Sequence, residues 1–286
     1  IEGGSLVALQ IAAGAEAWRI SLPDGLRTRG LVADGSRLFA CLSDERPFTE
    51  AERGQLVQVA PADGRLTPLW EADAPLLSQP LILGDRVYLR TSKPELVALR
   101  LGAKAALAWR APLVSSGALQ APCACAGRVF ISDGDAMHGQ TYLAAYDQAD
   151  GRLCGKMPTE GILAQPMAAN DAVLLYQDGR RTLGALDAAS LKVLWKRELE
   201  RIYSAAVIHA GRVHVLARGS AAKGKPGYYT LLRLDLNSGE SRGDLPLLER
   251  VIIPPLVADG RIHLGTEAGE LLCLEEENGA VLWRLP

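Results

Sequence analysis

The sequence predicts an all-β chain, a β-propeller of four-stranded antiparallel blades, and three observations carry that prediction. A pattern of two hairpins fills residues 249–286. Variants of the pattern recur through the whole chain about every 40 to 50 residues, the period of a propeller blade. All five tryptophans fall at one place in the repeat.

The last unit shows the pattern most plainly. Pro255-Leu256-Val257-Ala258 and Arg261-Ile262-His263-Leu264 flank Asp259-Gly260, while Leu271-Leu272-Cys273-Leu274 and Ala280-Val281-Leu282-Trp283 lie either side of Asn278-Gly279. Asp-Gly and Asn-Gly between apolar runs signal hairpins, because both central residues of a type I′ turn need positive φ. Four such strands make one small twisted sheet that cannot bury both faces alone, so copies must lie beside it.

The second hairpin returns as Leu6-Val7-Ala8-Leu9 with Gly14 and Trp18, and as Leu56-Val57-Gln58-Val59 with Gly64 and Trp70. Leu96-Val97-Ala98-Leu99 precedes Lys104 and Trp109, and Leu183-Gly184-Ala185-Leu186 precedes Trp195. The fourth and sixth copies carry Gly155 and Gly243 where Trp would stand. The first hairpin recurs around Arg37-Leu38-Phe39, Arg86-Val87-Tyr88, Arg128-Val129-Phe130, Ala172-Val173-Leu174 and Arg212-Val213-His214. The units run over about 1–20, 29–72, 78–111, 120–157, 164–197, 204–245 and 253–286, as one domain over 1–286. The first hairpin of the first blade is missing from the chain start, and its strands are expected upstream in a longer protein. Seven blades are expected, or eight if a further unit is lost.

Within a blade stack, Trp18, Trp70, Trp109, Trp195 and Trp283 are assigned to docking one blade on the next, the indole filling the wedge and its N–H finding a carbonyl. Insertions fall mainly between the second and third strands, at 43–54, 132–141 and 217–229. Long polar loops on a rigid scaffold are where binding sits. Arg46, Phe48, Lys223, Lys225, Tyr228 and Tyr229, which combine cationic and aromatic character, are therefore the candidate contacts for a protein partner. Arg29, Gln79, Gln120, Gln165 and Ser204 enter the innermost strands and are the candidate lining of a channel mouth for a small ligand.

Other chemistry-bearing residues read as structural. Ser132-Asp133-Gly134-Asp135 before Met137-His138 has two carboxylates on a Gly turn, but lacks the spaced ladder and closing Glu of a calcium loop. His214 and His263 share the repeat position of Phe39, Tyr88 and Phe130 and are expected to pack, while His209 has no nameable partner. Glu275-Glu276-Glu277 is expected to be a solvated edge.

Lys plus Arg number 31 against 33 for Asp plus Glu, a formal charge of −2, which offers no field for nucleic acid or an anionic membrane. No apolar run reaches the ~18 residues of a membrane span, so no membrane insertion is expected. Five scattered cysteines argue against a disulfide framework and lean towards a cytoplasmic location; an upstream leader would make the location extracytoplasmic.

On these residues the chain resembles the pyrroloquinoline-quinone-type propeller repeat family. Pro255 to Trp283 matches the family's unit nearly throughout, and Pro80 to Trp109 and Pro166 to Trp195 match well. The resemblance implies the propeller fold. It spans quinoprotein dehydrogenases, a propeller lipoprotein of outer-membrane barrel assembly, and propellers appended to bacterial kinases, so function must come from residues. The dehydrogenases resembled carry an adjacent Cys pair over the quinone and a further Trp beneath it. Here no two cysteines are adjacent and every Trp holds the docking position, so no cofactor and no enzymatic activity are expected. Cys123 and Cys125 stand where Leu81 and Leu83 stand in another unit. The function expected is a non-enzymatic scaffold or sensor domain of a larger bacterial protein, binding a protein through its loop-rich face. The alternative is a quinone- or sugar-binding propeller, or a degenerate quinoprotein dehydrogenase, using the channel mouth.

Overall fold

Asp259 and Gly260 both have positive φ, 50° and 69°, and the same pair of left-handed residues recurs at Ala126-Gly127 and Ala210-Gly211. These are the two-residue turns that match the right-handed twist of the strands they join. The computed structural model describes residues 4–10, 15–23, 25–44, 53–115, 120–135, 138–161, 163, 166–179, 181–218, 229–247, 250–251 and 254–285.

Sheet order follows chain order throughout, so each blade is a meander. A two-stranded sheet pairs β1 (Ser5–Leu9) with β2 (Glu16–Ser21). The next sheets are β3 (Leu26–Asp34), β4 (Arg37–Asp44), β5 (Gly54–Val59) and β6 (Leu66–Ala72), then β7 (Leu81–Leu83), β8 (Arg86–Arg90), β9 (Glu95–Arg100) and β10 (Ala106–Pro112). They are followed by β11 (Cys123–Cys125), β12 (Arg128–Asp135), β13 (Gln140–Asp147) and β14 (Leu153–Thr159). The fifth is β15 (Ala168–Ala169), β16 (Val173–Asp178), β17 (Thr182–Asp187) and β18 (Val193–Glu198). Last come β19 (Val207–His209), β20 (Arg212–Arg218), β21 (Tyr229–Asp235) and β22 (Leu245–Leu247), then β23 (Leu256–Ala258), β24 (Arg261–Gly265), β25 (Leu271–Glu275) and β26 (Val281–Leu285). The described residues thus form six four-stranded sheets and one two-stranded sheet, the fold of a seven-bladed propeller whose first blade shows only its second hairpin.

The middle strands carry apolar stretches, Val173-Leu174-Leu175-Tyr176 in β16 and Val129-Phe130-Ile131 in β12, because both their faces are covered. Every residue of β16 is buried, and β12 is buried throughout except at its two ends. Outer strands alternate instead, as in β18, where Trp195 is buried between exposed neighbours. A bulge precedes the Trp in all five outer pairings that carry one, at Ala8/Leu9, Leu56/Val57, Leu107/Trp109, Ala185/Leu186 and Cys273/Leu274. The extra residue turns the indole out of the sheet and towards the neighbouring blade.

The chain divides into two compact units, one of Ile1–Pro122, Val129–His138 and Leu143–Gly155, the other of Cys123–Arg128, Gly139–Tyr142 and Lys156–Pro286. The core of the first lies between successive sheets: Leu42 and Val57 with Leu6, Leu56 and Phe39 with Leu89 and Leu99, Tyr88 and Ala98 with Ile131 and Ala144. In the second, Leu175 and Leu183 pack with Val215 and Leu234, and Leu216 and Leu231 with Ile262 and Leu274. No helix among the described residues is long and apolar enough to cross a membrane.

Candidate functional site

The blade junctions set the frame for any site. Trp18 Nε1 donates to the Pro61 carbonyl at 2.8 Å, Trp109 Nε1 to Gln148 at 3.2 Å and Trp195 Nε1 to Leu236 at 2.8 Å. Each acceptor lies three residues before a turn glycine, Gly64, Gly151 or Gly239, against which the same indole rests. Trp70 departs from this pattern: it is reached two residues late, and Leu69 takes the buried place. Trp283 is 37 % exposed and tilts against His263, with ring centroids 5.6 Å apart.

Where the repeat replaces Trp by Gly, an arginine bonds the equivalent carbonyl, a contact that Arg86 also makes, to Gln148 at 2.9 Å, beside Trp109. Arg128 Nη1 donates to the Ala188 carbonyl at 3.2 Å. Arg233 Nη1 donates to the carbonyls of Glu276 and Glu277 while its Nε donates to Gly243 at 2.6 Å. A Cβ on Gly243 would lie 2.9 Å from Arg233 Nη2, so the glycine leaves room for the guanidinium. This exchange was invisible in the sequence, where Arg233 occupies a strand position that is Ala8, Ala98 or Ala185 in other units.

Of the loop residues expected to bind a partner, Arg46, Phe48, Lys223, Lys225 and Tyr228 lie outside the described residues. Tyr229 opens β21, and its ring lies 4.5 Å from that of Tyr203, at 52°. Arg201 stands over the Tyr203 ring at 5.4 Å, and Arg250 Nε donates to the Tyr229 hydroxyl at 3.0 Å. Two ion pairs flank the tyrosines, Arg250 with Glu267 at 2.6 Å and Arg218 with Glu200 at 3.3 Å. Arg201, Arg218 and Arg250 are exposed while Tyr203 and Tyr229 are half-buried. Backbone bonds hold the pieces in place: Tyr203 N to Leu216 O, Arg218 N to Arg201 O and Glu267 N to Arg250 O. Rigid tyrosines beside arginines are the composition of interface hot spots. Sequence reading found Tyr229 alone. A signal for Tyr203 existed, since the residue before each channel-mouth position is Thr28, Ser78, Leu119 or Ala164 elsewhere and is aromatic only here.

The channel-mouth set is divided between the two units. Arg29 Nη2 donates to the Asp44 carbonyl at 3.1 Å. Gln79 packs against Gly30, where a Cβ would meet its own Cβ at 2.1 Å. Gln120 Oε1 is buried without a hydrogen-bond partner among the described residues. Ser204 is buried, its hydroxyl donating to Ala205 O and accepting from Leu216 N, while Gln177 Nε2 donates to Ser204 O at 2.7 Å. Gln165 lies outside the described residues.

Asp133 is buried and accepts from the amides of Val114 at 2.8 Å and Ser115 at 3.3 Å, whereas Asp135 pairs with His138 at 2.6 Å. The two carboxylates therefore serve different partners, and no metal-holding cluster occurs among the described residues. Burial pushes the Cys123 thiol up to about 11 and the Cys125 thiol to about 12, which suits small packing residues rather than nucleophiles.

The acidic run corrects an expectation. Glu275-Glu276-Glu277 is not wholly a solvated edge: Glu276 is buried, its carboxylate 3.2 Å from His209 Nδ1, 3.2 Å from His214 Nε2 and 3.8 Å from Arg212. The Arg233 bonds tie the turn to the preceding blade and Glu276 N to Gly260 O ties it to the first hairpin of its own blade, and together they carry the middle carboxylate inward.

BamB from Moraxella catarrhalis superposes with a TM-score of 0.66 at 18 % identity, over 99 % of this chain and 80 % of that one. The computationally designed Ika8 protein gives a TM-score of 0.66 at 12 % identity, over 93 % and 76 %. Quinohemoprotein alcohol dehydrogenase from Comamonas testosteroni gives 0.54 at 12 % identity, over 91 % and 67 %. At these identities the likeness is one of fold. No curated protein matches the sequence. A family model described as outer membrane protein assembly factor BamB matches residues 2–124 and 139–242. With most of its length matched by that model, the chain belongs to the BamB family of quinoprotein-like propellers.

Proposed function

We propose that this propeller is a non-enzymatic scaffold that holds a protein partner on the cluster of Tyr203, Tyr229, Arg201 and Arg250. The observation that carries the reading is the tilted tyrosine pair with its flanking guanidinium groups. Tyrosines fixed by packing and hydrogen bonds lose little freedom on binding, and exposed arginines beside them reach carbonyls and carboxylates of a partner. Like the assembly factor that names its family, the protein would serve outer membrane protein assembly. Activity without a cofactor is supported by the absence of any adjacent cysteine pair and by all five tryptophans lying on outer strands of the blades.

The test is quantitative affinity capture from the source organism with the wild-type domain, Tyr229→Ala and Arg250→Glu, together with thermal melts of each. A partner retained by wild type and reduced at least about tenfold by each variant is expected, the loss usual for a hot-spot residue. Both variants should melt close to wild type. Capture of the same proteins in the same amounts by all three would overturn the reading.

A further inference from the structure

The junction between β22 and the last blade has a vacancy where other junctions carry an indole. Three wedges of this chain hold a Trp against a turn glycine: a Cβ would lie 2.7 Å from Trp18 at Gly64, 2.5 Å from Trp109 at Gly151 and 2.6 Å from Trp195 at Gly239. The equivalent glycine of the last blade is Gly279, and the residue resting on it is Leu245. Gly243 stands at the tryptophan position, and Arg233 takes the carbonyl that the indole would take. The hydrogen-bonding role of the missing Trp is thus filled and Leu245 takes its contact with the glycine, but a leucine covers less of the wedge than an indole and leaves part of it open.

The open part is a groove of about 300 Å³, walled by Leu245, Leu247, Val251, Leu272, Leu274 and Val281. Beside it β22 has three residues, where β6, β10, β14 and β18 have six or seven. Val281 is 58 % exposed on its rim, and Arg284, held by Glu270 at 3.0 Å, supplies the polar edge.

We propose that this groove receives a tryptophan side chain from an extended segment of a partner protein. The occupant is specified by the chain itself, which fills the same wedge with indole at three other junctions. An apolar slot with a cationic edge suits an indole better than an aliphatic side chain, because the ring offers both a large apolar area and a π-face to the guanidinium. The groove borders the Tyr203–Tyr229 cluster, since Leu247 pairs with Tyr229 across the strands and Tyr203 packs on the same core, but its wall is made by other side chains and this inference does not rest on the function proposed above.

The probe is N-acetyl-L-tryptophanamide, titrated into the protein labelled at Leu and Val methyl groups, with N-acetyl-L-leucinamide as the control. Methyl shifts confined to the six wall residues are expected, saturating with a Kd on the order of a millimolar, as befits a single side chain. The leucine amide should bind at least about tenfold more weakly. Val281→Lys, an exposed change that leaves the core intact, should abolish the shifts. Leu245→Trp should abolish them and raise Tm by filling the wedge from within. Absence of wall-residue shifts at the solubility limit would overturn the proposal, as would equal binding of the leucine amide or undiminished shifts in Val281→Lys. Wall-residue shifts that depend on protein concentration without probe would assign the groove to a second copy of the chain, and would also overturn it.

Discussion

Trp195 lies against Gly239, its indole 2.6 Å from where a Cβ would stand, while its Nε1 donates to Leu236 three residues before that glycine. The ring and the turn are therefore one joint: the glycine permits the approach and the carbonyl fixes the ring's angle. Trp195→Ala removes the wedge and leaves the carbonyl unpaired, and should cost about 3 to 5 kcal/mol. Gly239→Ala should also destabilise strongly, since φ is +70° and the new methyl meets the ring. Because the two act on one contact, Trp195→Ala with Gly239→Ala should cost much less than the sum. Urea unfolding of the cycle checks this, and simple additivity would refute a shared joint.

Arg233 does for the last blade what Trp195 does one junction earlier, by bonding rather than by filling. Arg233→Met keeps the length of the stem but strands the carbonyls of Glu276, Glu277 and Gly243, and should cost about 1.5 to 3 kcal/mol, the range for hydrogen bonds to charged groups. Arg233→Lys should recover part of the loss, since one ammonium cannot span the carbonyls that the fork reaches. Equal stability of Met and Lys variants in chemical denaturation would show that the guanidinium only packs.

The fold was legible because its signals are local. Turn pairs such as Asp259-Gly260 demand positive φ, and apolar runs such as Val173-Leu174-Leu175-Tyr176 sit between them, so sheets and their order follow from neighbours in sequence. The candidate site was legible only at Tyr229. Its partners Tyr203 and Arg250 lie 26 and 21 residues away on other strands or connections, and nothing periodic links them. The burial of Glu276 was hidden for the same reason: a carboxylate next to a turn reads as solvated unless the blade it folds onto is known.

Leu191 occupies the turn position that Gly64, Gly151, Gly239 and Gly279 hold in other blades, with φ at +60° and the same backbone bond, Leu191 N to Asp187 O. A γ-branched residue in the left-handed region carries a strain of about 1 to 2 kcal/mol. Leu191→Gly should relieve that strain, offset in part by the extra freedom of glycine in the unfolded chain, for a net gain of about 1 kcal/mol. Leu191→Asn, which tolerates this backbone without the full freedom of glycine, should gain at least as much. A fall in Tm for both would mean that the leucine side chain contributes more through packing than its backbone costs.

His214 provides the pH dependence. It is fully buried at the repeat position that Phe39 and Phe130 hold, with Nε2 3.2 Å from Glu276 Oε1 but off hydrogen-bond alignment. Burial lowers its pKa, opposed by the Glu276 carboxylate and reinforced by His209 and Arg233 nearby. The folded protein therefore keeps this imidazole neutral at pH values where the unfolded chain, with an ordinary pKa near about 6.5, takes up a proton. Below that value the unfolded state binds more protons, so the stability present above it is lost as pH falls. Between pH 7.5 and 5.5 the wild-type Tm should drop, and His214→Phe should drop less because the titrating group is gone. Glu276→Gln should drop more steeply, since it removes the one neighbour that favours the imidazolium. Parallel Tm–pH curves for wild type and His214→Phe would rule this histidine out as the source, whereas a flattened curve in His214→Phe with a steepened one in Glu276→Gln would assign it to the buried pair.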